Sequence, residues 1–235
     1  AITKDNKKLS YLQNLGRIYR YRGNYEDSII VFKSIEKLTS EKGNLIDLEI
    51  NNAINHFING SMELTKISLE KLKSYINDGG LNEIKNEGVR NHSSSYYKFL
   101  KSIVPKVKMN KDKSLQKIAH IGESHCLSHA FQTINLNKSN KIINPILIQG
   151  AKAWHFADNN SNKFKTSFIE QIEEIDQGTE IFISFGEIDC RSNEGIITYS
   201  KKYGKNIDEI IEKTINGYIQ FMETQLKEKF LNKYY

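Results

Sequence analysis

The sequence predicts an α/β protein with a helical N-terminal region followed by a domain built on a parallel β-sheet. Helical periodicity runs through the N-terminal part of the chain, whereas apolar strand-like segments alternate with helical segments from Ser114 onward. A polar, lysine-rich run that begins at Pro105 separates the two patterns. We therefore expect two domains, residues 1–109 and residues 110–235.

The N-terminal domain is expected to consist of antiparallel helix pairs joined by short loops. In the first pair, Gly16 would let the helices approach closely, and Gly23 and Asn24 would form the turn. Residues 44–57 and 62–76 repeat this design more loosely. The positions of the first pair that carry the repeat pattern are Leu12, Leu15, Gly16, Tyr19, Tyr25, Ser28, Phe32 and Ile35.

This spacing resembles the tetratricopeptide repeat family. The resemblance implies stacked helix pairs with a concave surface that binds a protein or peptide partner. The alternative is that the helices only brace the second domain. A strand anywhere in residues 9–76 would refute the repeat assignment.

The second domain is expected to alternate strands with helices. The predicted strands are residues 116–121, 141–149 and 180–185, and the predicted helices are residues 125–134, 163–175 and 206–230. Strand–helix alternation implies right-handed crossovers and a parallel sheet. Because three strands are fewer than open sheets usually contain, we expect the domain to be incomplete at its C-terminal end.

Two short motifs follow predicted strands of this sheet. Gly-Glu-Ser-His at 122–125 ends the first strand and Gly-Glu-Ile-Asp at 186–189 ends the third, while Gly150 follows the second. The carboxyl ends of parallel strands meet at one edge of a sheet, and open α/β folds bind ligands there. We therefore expect Ser124, Gly150 and Asp189 to converge at this edge.

The motifs resemble the first three sequence blocks of the SGNH (GDSL-like) hydrolase superfamily. The resemblance implies a partial three-layer αβα, flavodoxin-like domain. It also implies a serine esterase or acyl-transfer enzyme that acts on a small ester or an acylated glycan. Ser124 would be the nucleophile, and Gly150 with the Ser124 amide would form the oxyanion hole. The alternatives are a catalytically silent binding module and a scaffold that works through its helical repeats.

Two departures from the superfamily pattern bear on catalysis. The oxyanion asparagine of the third block falls on Ile188, and no histidine follows His155 to serve as the general base. His120 lies in a predicted strand and His129 in a helix directed away from the serine, which leaves His155 as the base candidate within these residues. The alternatives are a histidine beyond Tyr235 and a domain that is not an active hydrolase. We therefore expect a poor or inactive esterase from these 235 residues.

Charged and aromatic side chains around the motifs are expected to contact the substrate: Glu123, His125, Trp154, Glu187 and Arg191. Asp189 is expected to line the site, with a helix cap or an ion pair to Arg191 as its alternatives. Ser124 can itself cap a helix. The two cysteines lack the paired spacing of a zinc site, so we expect neither a metal nor a cofactor.

The composition argues against several partners. A net charge of +6 invites a nucleic-acid partner, but the lysines are interleaved with acidic residues and asparagines, which is typical of a solvated surface. No apolar stretch reaches the length of a transmembrane helix, and no signal peptide is recognisable. We therefore expect no nucleic-acid partner, no membrane span and, by default, a cytoplasmic location.

Overall fold

The computed structural model describes residues 4–110, 112 and 114–230 of the chain. The chain divides into two compact units, Ala1–Met109 and Asn110–Tyr235. Within the described residues, no helix combines the length and the apolar composition that are needed to cross a membrane.

The first unit is helical. Its helices are α1 (Lys4–Tyr21), α2 (Tyr25–Glu36), α3 (Lys42–Ile58), α4 (Met62–Asn77) and α5 (Glu87–Ile103). Short 3-10 helices follow α4 at Gly80–Glu83 and α5 at Val104–Lys106. Helix α1 packs on α2, and α3 packs on α2, α4 and α5. Residues 9–76 are helices and turns throughout, as predicted, and the repeat assignment stays a prediction.

The close approach expected at Gly16 is present between α1 and α2. A Cβ atom at Gly16 would lie 2.7 Å from the ring of Phe32, which is fully buried. The Ser28 hydroxyl donates a 2.7 Å hydrogen bond to the Gly16 carbonyl oxygen. Glycine is therefore the residue that fits at this contact without a shift of the Phe32 ring.

We expect Gly16→Ala to lower the free energy of unfolding by about 1–2 kcal/mol, because the cost of overpacking exceeds the gain in helix propensity. Gly43→Ala in α3 is the matched control, since the new Cβ would meet its neighbours at an ordinary 3.4 Å. Urea denaturation of both variants and the parent protein measures the difference. A Gly16→Ala protein as stable as the Gly43→Ala protein would contradict the packing of α1 on α2.

The second unit contains a mainly parallel sheet, so the predicted α/β class is confirmed. Its strands are β1 (Gln116–Gly122), β2 (Thr133–Leu136), β3 (Ser139–Leu147) and β4 (Glu180–Ser184). Its helices are α6 (Ala153–Ala157), α7 (Lys163–Glu173), α8 (Gly195–Tyr203) and α9 (Ile207–Phe230), with 3-10 helices at Ser124–His129 and Ile188–Cys190. The strand order is β2-β3-β1-β4, with β1 parallel to β3 and β4. In the described residues, β4 pairs on one side only.

The helix predicted for residues 125–134 is wrong. A 3-10 helix ends at His129, and the chain then enters β2, which forms an antiparallel hairpin with β3. The hairpin turn consists of Asn137 and Lys138, whose φ angles of 53° and 63° match a two-residue type I′ turn. The described sheet therefore has four strands where the sequence predicts three.

A hydrophobic core of the second unit covers one face of the sheet. Ala119 and Ile121 of β1 and Ile181 of β4 belong to it, because alternate residues of a strand share a face. The helical side chains that cover this face come from α6, α7 and α9: Phe156, Phe168, Met222 and Leu226. This packing holds the ends of β1 and β4 in fixed positions, from which the motif loops leave the sheet.

The opposite face of the sheet carries a polar pair of the buried His120 and the half-buried Ser184. His120 Nε2 lies 2.9 Å from Ser184 Oγ, and His120 Nδ1 is buried without a hydrogen-bond partner among the described residues. Burial, followed by the proximity of His129, lowers the pKa of His120 to about 4. The folded state therefore favours the neutral imidazole.

We expect the free energy of unfolding to fall as the pH is lowered from 6.5 to about 4, because the unfolded chain binds a proton at His120 before the folded chain does. Burial also lowers the pKa of His56, His92 and His155, so these residues contribute with the same sign. Urea denaturation across this pH range should give a shallower acid slope for His120→Gln than for the parent protein. Identical slopes would show that His120 is not held neutral by the fold.

Candidate active site

The loops after β1, β3 and β4 leave the sheet at the same edge. Gly122 ends β1 in register with the last residue of β3 and the last residue of β4. Ser124, Gly150 and Asp189 follow these three strand ends within five residues. The structure therefore places all three at the carboxyl edge of the parallel strands, where open α/β folds bind ligands.

Strand β1 ends in a glycine because β4 approaches it too closely for a side chain. A Cβ atom at Gly122 would lie 2.3 Å from Ser184 Oγ and 2.7 Å from the Ser184 carbonyl oxygen. The Glu123 amide donates a hydrogen bond to the same carbonyl oxygen at 3.3 Å. This contact fixes the point at which Glu123 and Ser124 leave the sheet.

Ser124 begins a 3-10 helix, but its hydroxyl does not cap that helix. Glu123 takes the capping role, since its carboxylate accepts a 3.1 Å hydrogen bond from the His125 amide. The Ser124 hydroxyl donates to Glu123 Oε2 at 3.0 Å instead. The Ser124 oxygen therefore keeps its lone pairs available, while its proton is directed at a carboxylate.

Glu123 is the centre of a hydrogen-bond network. The residue is 2% exposed, and its carboxylate accepts hydrogen bonds from the Ser124 hydroxyl, the His125 amide and His125 Nδ1, the last at 2.8 Å. A buried carboxylate needs such donors to offset the loss of hydration. The sequence predicts a substrate contact at Glu123, but in the structure its buried carboxylate contacts Ser124 and His125.

The Gly150 and Ser124 amides lie in the loops that follow β3 and β1. The turn that contains Gly150 (φ 72°) is closed by a 3.1 Å hydrogen bond from the Ala151 amide to the Ile148 carbonyl oxygen. Among the described residues, neither the Gly150 amide nor the Ser124 amide has a backbone acceptor. Ile188 is buried and offers no side-chain donor, so the position of the superfamily asparagine contributes nothing to an oxyanion hole here.

Asp189 joins the loop after β4 to the loop after β3. Its carboxylate accepts hydrogen bonds from the Ala153 amide at 2.8 Å and from the Trp154 amide at 3.2 Å, at the start of α6. Burial raises the pKa of Asp189, against the opposing effect of these two hydrogen bonds. Asp189 is therefore a helix cap, one of the alternatives left open by the sequence, and it holds two site loops together.

An ion-pair network continues along the edge. Arg191 Nη2 lies 2.7 Å from Glu187 Oε2, and Arg191 Nη1 lies 2.9 Å from Glu194 Oε1. The hydrogen bond from Arg191 lowers the pKa of Glu187. Lys152 Nζ lies 3.3 Å from Glu194 Oε2, and His125 Nδ1 lies 3.8 Å from Glu187 Oε2. The network therefore links the Ser124 segment to the loops after β3 and β4.

Three of these side chains have the composition of a metal site. Glu123, His125 and Glu187 each offer one ligand-type atom within 4.8 Å of the others. However, Arg191 already neutralises Glu187, and the carboxylate of Glu123 already accepts three hydrogen bonds. The ligand-type atoms of this cluster therefore already have partners in ion pairs and hydrogen bonds, without a metal ion.

His155 is the base candidate from the sequence, but in the structure its side chain makes local packing and hydrogen-bond contacts. Its Nδ1 accepts a 2.9 Å hydrogen bond from the Lys152 amide, and its ring stacks on Phe164 at 4.0 Å. Burial, with the nearby Lys152 and Lys163, lowers the pKa of His155 to about 4. Because the lone pair of Nδ1 is engaged, the proton of the neutral ring is on Nε2. This arrangement disfavours His155 as a general base.

A cavity of about 170 Å³, here named the aromatic cavity, lies between α6 and α8. Side chains that line it are Lys152, Trp154, His155, Asp189, Ile196 and Tyr199. The rings of Trp154 and Tyr199 are 5.1 Å apart. Sequence analysis predicts Trp154 but not Tyr199, because α8 lies in a segment without a long helical period. The four-residue spacing of Tyr199 and Tyr203 is the signal that could have revealed it.

Gly195 packs closely against the backbone of Asp189, which lines this cavity. It has a φ of 73°, and a Cβ atom there would lie 2.3 Å from the Asp189 carbonyl oxygen. We expect Gly195→Ala to destabilise the protein by about 1–3 kcal/mol more than Gly204→Ala, because the clash adds to the backbone strain. Gly204 is the matched control, since it has a φ of 61° with open space around its Cβ position. Equal losses in urea denaturation would refute the contact between Gly195 and Asp189.

No protein-family model, curated protein or solved structure matches the chain. The chemistry of the site therefore depends on its own residues, above all on the hydrogen bond between Ser124 and Glu123 and on the Ser124 and Gly150 amides at the carboxyl edge of the sheet.

Proposed function

We propose that the second unit is an SGNH-type serine hydrolase, an esterase or acyl-transfer enzyme with Ser124 as its nucleophile. The observation that carries this proposal is the 3.0 Å hydrogen bond from the Ser124 hydroxyl to the buried carboxylate of Glu123. A serine that only capped its helix would accept a hydrogen bond from a backbone amide through its hydroxyl oxygen. Here the oxygen is available for attack, and its proton already has an acceptor.

The proposed reaction follows from these contacts. Ser124 Oγ attacks the acyl carbon while Glu123 Oε2 takes the hydroxyl proton, and the amides of Gly150 and Ser124 bind the resulting oxyanion. The tetrahedral intermediate collapses, and the leaving alcohol takes the proton from Glu123. Water or an acceptor alcohol then attacks the acyl-serine by the same steps, which releases the acid or the transferred ester.

Glu123 replaces His155 as the proposed proton acceptor within this chain. A carboxylate is a weaker base than an imidazole under neutral conditions, so slow turnover is expected. His125 supports the assignment, because its amide and Nδ1 hold the carboxylate in place beside Ser124.

The substrate proposed for this site is a small ester or an acylated glycan. The first unit is proposed to be a tetratricopeptide-like module that binds a protein partner, with the packing of Gly16 on Phe32 as its support. A catalytically silent binding module is the second candidate, because Ile188 offers no side-chain donor to an oxyanion.

The proposal is tested by treating the protein with a fluorophosphonate probe and mapping the labelled peptide by mass spectrometry. We expect the probe on Ser124, since phosphonylation needs an activated serine. The six histidines and the other serines of the chain provide an internal control. Labelling at another residue would overturn the assignment, and no labelling would favour the silent binding module.

A further inference from the structure

We propose that the aromatic cavity binds one sugar ring of a neutral glycoside. This assignment extends the proposed function. It rests on that function only in stating that the bound ring is part of the substrate. The binding itself can be measured without turnover. Three features of the cavity support it: its aromatic walls, its balanced charges and its position beside the Ser124 segment.

The walls are formed by two rings with solvent access. Trp154 is half-buried, Tyr199 is 37% exposed, and their ring centroids are 5.1 Å apart. Tyr203 extends the aromatic surface, with its ring 4.7 Å from that of Tyr199. The C–H face of a pyranose packs well on such rings, while the hydroxyl groups at its rim need polar partners.

The charges around the cavity are already paired. Both carboxylate oxygens of Asp189 accept backbone hydrogen bonds, and Lys152 pairs with Glu194. A cationic ligand would meet Lys152, and an anionic ligand would meet Asp189, so each would add an unbalanced charge. A neutral ligand avoids both costs. His155 Nε2–H and the spare lone pairs of Asp189 can still bond to hydroxyl groups.

The size and place of the cavity fit a ring that carries an ester. A space of about 170 Å³ accommodates one ring-sized group. Asp189 lies two residues after Glu187, which faces His125 next to Ser124. The segment that closes the cavity is thus the same segment that borders the proposed nucleophile.

Trp154 is the only tryptophan of the chain, so its fluorescence reports on the cavity directly. The experiment titrates the Ser124→Ala protein with the methyl glycosides of glucose, galactose, mannose, xylose and N-acetylglucosamine. We expect a saturable change in Trp154 emission with at least one of them. Tyr199→Ala should weaken that binding about tenfold through the loss of ring stacking, whereas Tyr199→Phe should retain it. Tyr11→Ala, an exposed tyrosine of α1, is the control that should change nothing.

A failure of every neutral glycoside to give a saturable signal would overturn the cavity assignment. Equal or tighter binding of choline or glucuronate would also overturn it, because the site would then select for charge. Sugar binding together with an unlabelled Ser124 would support the cavity and refute the serine hydrolase. A labelled Ser124 without sugar binding would do the reverse, so the two proposals fail separately.

Discussion

Ser124→Ala is expected to reduce the hydrolysis of p-nitrophenyl acetate to the uncatalysed rate. The proposed mechanism has no other nucleophile, because the attack on the acyl carbon is made by the hydroxyl oxygen that Glu123 holds at 3.0 Å. Loss of the covalent intermediate removes the reaction path itself, so this is the largest effect that we expect. The initial rate of p-nitrophenol release measures it.

Ser128→Ala is the matched control, since Ser128 lies in the same 3-10 helix and is similarly half-buried. It should hydrolyse the ester as the parent protein does. If Ser124→Ala retained the parental rate, or if Ser128→Ala lost it equally, the nucleophile assignment would be wrong. Circular dichroism of each variant checks that the fold is kept.

Glu123→Gln is expected to lower kcat by about 10²–10⁴-fold, the usual contribution of a general base. Glutamine has nearly the same shape as glutamate and still accepts a hydrogen bond from Ser124, but it cannot take up the serine proton. Glu123→Asp keeps the carboxylate at a shorter reach and should retain part of the activity. Stopped-flow measurement of the acylation burst gives the rate of the affected step.

The control for charge is Glu187→Gln, which removes a half-exposed carboxylate next to His125 without touching Ser124. It should reduce kcat far less than Glu123→Gln. Equal losses of kcat in the two variants would mean that the negative charge of the carboxylates supports activity. Glu123 would then not be the proton acceptor. Inhibition by EDTA, reversed by added zinc, would instead identify Glu123, His125 and Glu187 as metal ligands.

The parts of the fold that could be predicted are those with a strong period. Strands β1, β3 and β4 are short apolar runs, and α9 has a long helical repeat, so each was found near its observed bounds. Their parallel order then brought Ser124, Gly150 and Asp189 to one edge without any knowledge of contacts.

The parts that could not be predicted depend on tertiary contacts or on turn chemistry. The turn at Asn137 and Lys138 lacks the glycine that usually marks a type I′ hairpin, so the sequence pattern places the start of β2 at the end of a helix. The role of Glu123 required knowledge of its burial, and the cap from Asp189 to α6 spans 35 residues of sequence. Spacing along the chain carries none of this information.

The one-sided pairing of β4 has a consequence for association. Among the described residues, the outer edge of Glu180–Ser184 has no strand beside it, and four of its five residues are only half-buried. An open edge of this kind is a template for strand addition from another polypeptide. Because the loop with Glu187 begins directly after β4, a strand added there would border the entrance to the site.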